Sequence, residues 1–171
     1  VPLGGSSLDL WVSRIEGFDR PEFYLCDRDT EPSKNPQYQD QADEINKRPK
    51  CKAWHTKKRT LENYIYKDLM IDEYPKYAGT GDDFEDVPTL FAQAVHEESA
   101  SEETWANIQN DLKKLGKKIS NAKRRLCSEF AEKMTPDFLR EVDPDGEVRG
   151  WLREVGTALN AGGVPGQGRA S

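Results

Sequence analysis

The chain is 171 residues long, with 25 lysines and arginines against 31 aspartates and glutamates, a formal net charge of −6, and 35% hydrophobic against 33% charged residues. That length fits about one domain with room for a helical appendage, and the aromatic and leucine content excludes disorder throughout. The net acidity excludes a protein that coats nucleic acid by bulk charge, although a local basic patch still acts through its own field.

In chain order, 1–3 reads as the end of a strand and Gly4-Gly5-Ser6-Ser7 as a tight turn into a helix over 8–15, where Leu8, Trp11, Val12 and Ile15 recur at helical spacing. Such a turn can hold a phosphate, but it has no Walker lysine, and a simple strand-to-helix turn is the favoured reading. Gly17 ends that helix. Phe23-Tyr24-Leu25-Cys26, mostly apolar and closed abruptly by charge, reads as a buried strand. The order strand, helix, strand predicts a βαβ unit and hence a parallel pair. Asp27 and Asp29 then fall at the carboxyl end of a strand, where open α/β sheets place their ligands. Two carboxylates so close repel unless a hard cation such as Mg²⁺ joins them; the alternative is a charged turn.

After a polar loop over 30–36, a short polar helix is expected over 38–48, ended by Pro49, and a third strand over 51–56. Lys57-Lys58-Arg59 follows, then Thr60 as a helix N-cap with Leu61, Tyr64 and Ile65 on the buried face. Residues 72–88 read as an acidic surface loop, 87–96 as a helix, and 102–134 as one long helix. In that helix Leu112, Leu115, Ile119, Ala122, Leu126 and Phe130 form the core stripe. Its polar side carries Lys113, Lys114, Lys117, Lys118, Lys123, Arg124 and Arg125, a pattern that suits phosphate-backbone contact or an ordinary solvated face. Thr135-Pro136 marks another helix start, and Asp143-Pro144-Asp145-Gly146 a turn or another helix entry before Val148, Trp151, Leu152, Val155 and Leu159 at helical spacing.

Cys26, Cys51 and Cys127 are far apart, without a C-x-x-C pair, and the histidines are His55 and His96. A structural zinc site or a disulfide framework is therefore not expected, and free thiols suit a reducing cytoplasm. No segment approaches the roughly 20 apolar residues that cross a bilayer, so no membrane association is expected.

The glycine turn, the helix and the strand closed by Asp27-Arg28-Asp29 together resemble a Toprim domain, the metal-binding fold of topoisomerases, primases and OLD-family nucleases. The closer likeness is to the Toprim half of OLD-like, ATPase-associated proteins. There Leu25-Cys26-Asp27-Arg28-Asp29 is followed by a segment like Trp54-His55-Thr56-Lys57-Lys58-Arg59-Thr60-Leu61-Glu62-Asn63-Tyr64, and the close of the chain resembles 143–152. The likeness covers roughly residues 1–160. It implies an α/β fold with a partial Toprim-like parallel sheet over 1–66, N-terminally incomplete, then a helical C-terminal region over 67–160 and a disordered tail over 161–171.

The function implied is divalent-metal-dependent DNA cleavage, in family terms linked to anti-phage defence or DNA processing. Asp27 and Asp29 would hold Mg²⁺ or Mn²⁺, and Glu62 would add to the second ion or simply favour its helix N-terminus. Lys57, Lys58 and Arg59 would neutralise the scissile phosphate or form a solvated turn. His55 reads as a strand residue facing a neighbour rather than a general base. Lys113, Lys117, Lys118, Arg124 and Arg125 would lie on DNA. The implied partner is an ATPase domain or subunit, upstream in the same chain or separate, and a homo-oligomer is compatible.

The family's first-strand glutamate before glycine has no counterpart: Glu16-Gly17 closes a helix, and the chain opens at Val1 as though in mid-fold. It is therefore expected to be part of a longer protein. Two alternatives stand beside the nuclease reading. A haloacid-dehalogenase-type phosphatase also uses Asp-x-Asp after a strand, but no second acidic pair after a hydrophobic strand follows here. A non-catalytic module that contacts a partner ATPase would explain the missing acid.

Overall fold

In the computed structural model, which describes residues 21–161, β1 (Glu22–Cys26) and β2 (Cys51–His55) lie parallel, with Glu22 opposite Cys51 and Cys26 opposite His55. The strand, glycine turn and helix expected over 1–20 lie outside the described residues. Between the two strands, α1 (Gln39–Lys47) makes the crossover, so the βαβ unit observed is β1–α1–β2. Arg48 is already extended (φ −79°, ψ 139°), as the residue before a proline prefers, and this ends α1. Ala42 and Ile45 of α1 pack on Tyr24 and Ala53; burying the Ile45 side chain contributes roughly 1.5–3 kcal/mol. Asn46 fastens the helix to β2 by accepting from the Ala53 N–H (2.9 Å) and donating to its carbonyl (3.2 Å). The other sheet face is less covered than a buried strand implies: Phe23 stacks on Trp54 at 5.7 Å, and Leu25 is exposed.

A 3₁₀ turn (Leu61–Tyr64) leads from the sheet to α2 (Lys67–Glu73), α3 (Val87–Glu97), α4 (Trp105–Asn110), α5 (Leu112–Arg125), a π turn (Leu126–Phe130), a 3₁₀ turn (Ala131–Lys133), α6 (Pro136–Val142) and α7 (Glu147–Ala161). The protein is mixed α/β, and its larger core lies among these helices. Met70, Phe91, Ile108, Ala122, Leu126 and Phe130 are all buried there, and Phe91 meets Tyr74, Tyr77 and Phe130 edge-on at 5.2, 6.5 and 5.1 Å. Among the described residues no helix is long and apolar enough to cross a membrane.

The single long helix expected over 102–134 is broken at Asp111. Its backbone is extended (φ −109°, ψ 96°), and its carboxylate accepts from the Lys113 and Lys114 N–H groups at 3.1 Å. An aspartate able to cap a helix ends one and starts the next. Leu112 consequently stands in the first turn of α5 and is 83% exposed, not core, whereas Leu115 and Ile119 pack on the core and Ala122, Leu126 and Phe130 are buried. The cap expected at Thr135 holds, its Oγ1 accepting from the Phe138 N–H (3.2 Å). At 143–146 the chain enters a helix, with Asp143 accepting from the N–H groups of Glu147 (2.8 Å) and Val148 (2.9 Å). α7 reaches Ala161, one residue into the expected tail; the rest of that tail lies outside the described residues.

Gly116 sits inside α5, and a Cβ added there meets nothing within 4 Å. Gly116→Ala is expected to raise the unfolding free energy by about 0.5–1 kcal/mol, through lower backbone entropy in the unfolded chain. A shift of the urea midpoint to higher concentration at unchanged slope is the check.

Candidate functional site

The two segments leaving the strands stay side by side. The Thr56 N–H donates to the Cys26 carbonyl (3.0 Å), the Arg28 N–H to Thr56 Oγ1 (2.9 Å), and the Asp29 N–H to the Arg59 carbonyl (2.9 Å). Thr56 in turn donates its hydroxyl to the Lys58 carbonyl (2.8 Å). Asp29 takes a left-handed backbone (φ 57°) and is exposed, a conformation that aspartate tolerates better than most residues. Asp27 stays half-buried and accepts the Leu61 N–H at 3.0 Å, which holds its carboxylate against the first turn after β2.

Asn63 determines how that turn faces. Its Oδ1 accepts from both the N–H (3.1 Å) and the hydroxyl (2.9 Å) of Thr60, and its Nδ2 donates to the Asp82 and Glu85 carbonyls at 3.2 Å. The turn is 3₁₀, with about three residues per turn instead of 3.6, so its phase differs from the helix expected there. Leu61 is exposed, and Glu62, Asn63 and Tyr64 are buried. Glu62, only 4% exposed, accepts the Cys127 S–H at Oε1 (3.7 Å), and its Oε2 is buried with no partner.

Asp27, Glu62, Asp29, Lys123 and Cys127 thus share one electrostatic neighbourhood. Burial raises the Asp27 pKa; the Leu61 N–H opposes this, the Glu62 charge adds to it, Lys123 lowers it, and Asp29 raises it slightly. Burial also pushes the Cys127 thiol up to about 11, helped by Glu62 and Asp27 and opposed by Lys123. Among the described residues, no three His, Cys, Asp or Glu side chains are gathered closely enough to hold an ion by themselves. The Asp27–Glu62 pair still fits a hard cation. Mg²⁺ sites typically use one or two carboxylates and complete the shell with water and substrate phosphate, and an orphaned buried carboxylate oxygen is costly without a cation.

Lys57 and Lys58 do not join this group. Lys57 Nζ pairs with Asp145 (2.9 Å); Lys58 Nζ pairs with Asp83 (2.7 Å), donates to the Asn63 carbonyl (3.2 Å) and lies over the Tyr64 ring. Both line a separate cavity of about 370 Å³ shared with Tyr64, Tyr66, Asp143 and Glu147. Arg59 turns to Asp86, 3.7 Å away. His55 keeps its Nε2 buried without a partner; burial lowers its pKa, and so does Arg28.

The basic face divides by direction. Arg125 binds Tyr74, Glu73 and Glu129. Lys118 approaches His96 Nδ1 at 3.3 Å, and Lys114 pairs with Glu103. Lys113, Lys117 and Arg124 are exposed and have no ion pair among the described residues. Lys123 and Cys127 are the members of the site that sequence reasoning missed. Their i, i+4 spacing between the core stripe and the 113/117/124 face was the available signal.

In the separate cavity, Glu147 accepts from Tyr64 OH and from the Lys57 N–H. Burial raises the Glu147 pKa; the Tyr64 and Lys57 contacts only partly oppose it. The folded protein therefore keeps a proton on Glu147 over a range where the unfolded chain has released it. The corresponding stability is fully present below the ordinary carboxylate range and is lost as pH rises through the raised folded value. Glu147→Gln is expected to flatten that part of the profile, measured as denaturant midpoint against pH for both proteins. Compared with family models, curated proteins and solved structures, the chain matches none.

Proposed function

We propose that this chain is a divalent-metal-dependent DNA endonuclease module of the Toprim-like, OLD-associated kind, working with an ATPase domain or subunit. The observation that carries the reading is Glu62. It is a buried carboxylate with an orphaned oxygen, beside the half-buried Asp27, at the carboxyl end of a parallel strand pair.

Asp27 and Glu62 hold Mg²⁺ or Mn²⁺, with Asp29 at the rim. Once bound, the ion supplies water activation and charge neutralisation for phosphodiester hydrolysis. Asp27 is positioned for this by the Leu61 N–H, and Glu62 by the Asn63 bonds that set the turn. Lys123, rather than Lys57 or Lys58, supplies the positive charge near the acids. Lys113, Lys117 and Arg124 meet the DNA backbone through phosphate contacts that carry no sequence readout. The alternative, a non-catalytic module for a partner ATPase, is favoured by α7, where Leu152 and Leu159 are each 66% exposed.

Plasmid nicking in Mg²⁺ or Mn²⁺ by the complete protein is the test. Asp27→Ala is expected to reduce the rate at least about 100-fold, equivalent to roughly 2.7 kcal/mol of transition-state stabilisation. Absence of nicking, or equal nicking by the variant, leaves the non-catalytic module as the reading.

A further inference from the structure

We propose that Cys127 converts the acidic pair into a site for a thiophilic divalent cation of the Zn²⁺ class, bound by Cys127 Sγ and Glu62 Oε1 with Asp27 alongside. The inference rests on the reading of Asp27 and Glu62 as metal-binding residues, and it adds regulation: a soft cation that occupies these donors excludes Mg²⁺ or Mn²⁺.

The geometry starts with the donor pair. Cys127 Sγ and Glu62 Oε1 are 3.7 Å apart. Zinc–sulfur and zinc–oxygen bonds of ~2.3 and ~2.0–2.2 Å at a tetrahedral angle separate their donors by about 3.5–3.7 Å. The two atoms therefore stand at chelating distance without rearrangement. The independent observation is Glu62 Oε2, buried and unpartnered in a side chain that is 4% exposed. Asp27 acts electrostatically on Cys127 and is acted on by Glu62, so its charge favours a cation here, while water completes the shell that these two donors begin.

Cys127 itself is exposed, which gives an ion a route from solvent, and it sits in the π turn that follows α5; π turns inside helices recur at functional sites. A hard ion gains little from a thiol, whereas a thiophilic ion selects it. Binding replaces the S–H bond by a metal–thiolate bond, and the proton passes to the buffer.

Co²⁺ titration of the untagged chain tests the site, because cobalt in a zinc-type site with a cysteine ligand gives a near-ultraviolet thiolate-to-metal charge-transfer band. One equivalent of Co²⁺ is expected to produce the band, and Zn²⁺ to bleach it. Cys127→Ser and Cys127→Ala are expected to abolish it, and Glu62→Gln to weaken Co²⁺ binding at least tenfold. Cys26→Ser and Cys51→Ser should retain it. Absence of the band in the wild-type chain, or its persistence in both Cys127 variants with unchanged circular dichroism, overturns the proposal. Nicking without the band removes this inference alone; the band without nicking removes the nuclease reading and leaves the metal site standing.

Discussion

Phe91→Ala lowers the unfolding free energy by about 3–5 kcal/mol, the range for truncating a fully buried aromatic whose surroundings collapse only partly. Phe91 is 0% exposed and is touched edge-on by Tyr74, Tyr77 and Phe130, while the Arg125 guanidinium lies 5.5 Å from its ring centre. The cavity therefore opens where α2, α3 and the π turn meet. Against a total of about 5–15 kcal/mol for a domain, the loss is large enough to leave much of the chain unfolded at physiological temperature. Urea denaturation read by circular dichroism measures it, and a loss below about 1 kcal/mol would show that the aromatic cluster is not the centre of the helical core.

Glu62→Gln has the largest expected effect on activity, and its effect on stability has the opposite sign. Two neighbouring carboxylates, one buried with an orphaned oxygen, oppose each other in the absence of a cation. Removing one charge relieves that repulsion, so the metal-free variant is expected to unfold at a urea concentration equal to or above that of the wild type. Metal-dependent nicking is expected to fall at least about 100-fold. Stabilisation by Mn²⁺, which follows from ligand binding to the folded state alone, is expected in the wild type and not in the variant. A variant that nicks normally, or gains as much from Mn²⁺ as the wild type, removes Glu62 from the metal site. Stability gained where function is lost is the usual signature of a site kept strained for its chemistry.

What the sequence by itself determined was local. The run 23–26 closed by Asp27 reads as a strand because an apolar stretch bounded by charge has few other uses, and β1 ends at Cys26. Thr135-Pro136 and Asp143 start helices because a capping oxygen and the N–H groups it accepts from are three to five residues apart. The α3 helix over 87–97 and the 115, 119, 122 and 126 stripe follow from periodicity within a few turns.

Tertiary structure decided which way the side chains of the candidate site point. Glu62 faces inward because Asn63 ties the turn to Thr60 and to carbonyls 19 and 22 residues away. Its partner Cys127 is 65 residues distant. Lys57 is drawn from the acids to Asp145 across 88 positions. The break at Asp111 lies between: the capping residue was visible, but a period of 3.6 runs through it unless the two helices pack at different angles. Direction in space depends on turn type and on distant partners, and neither is written in a window of ten residues.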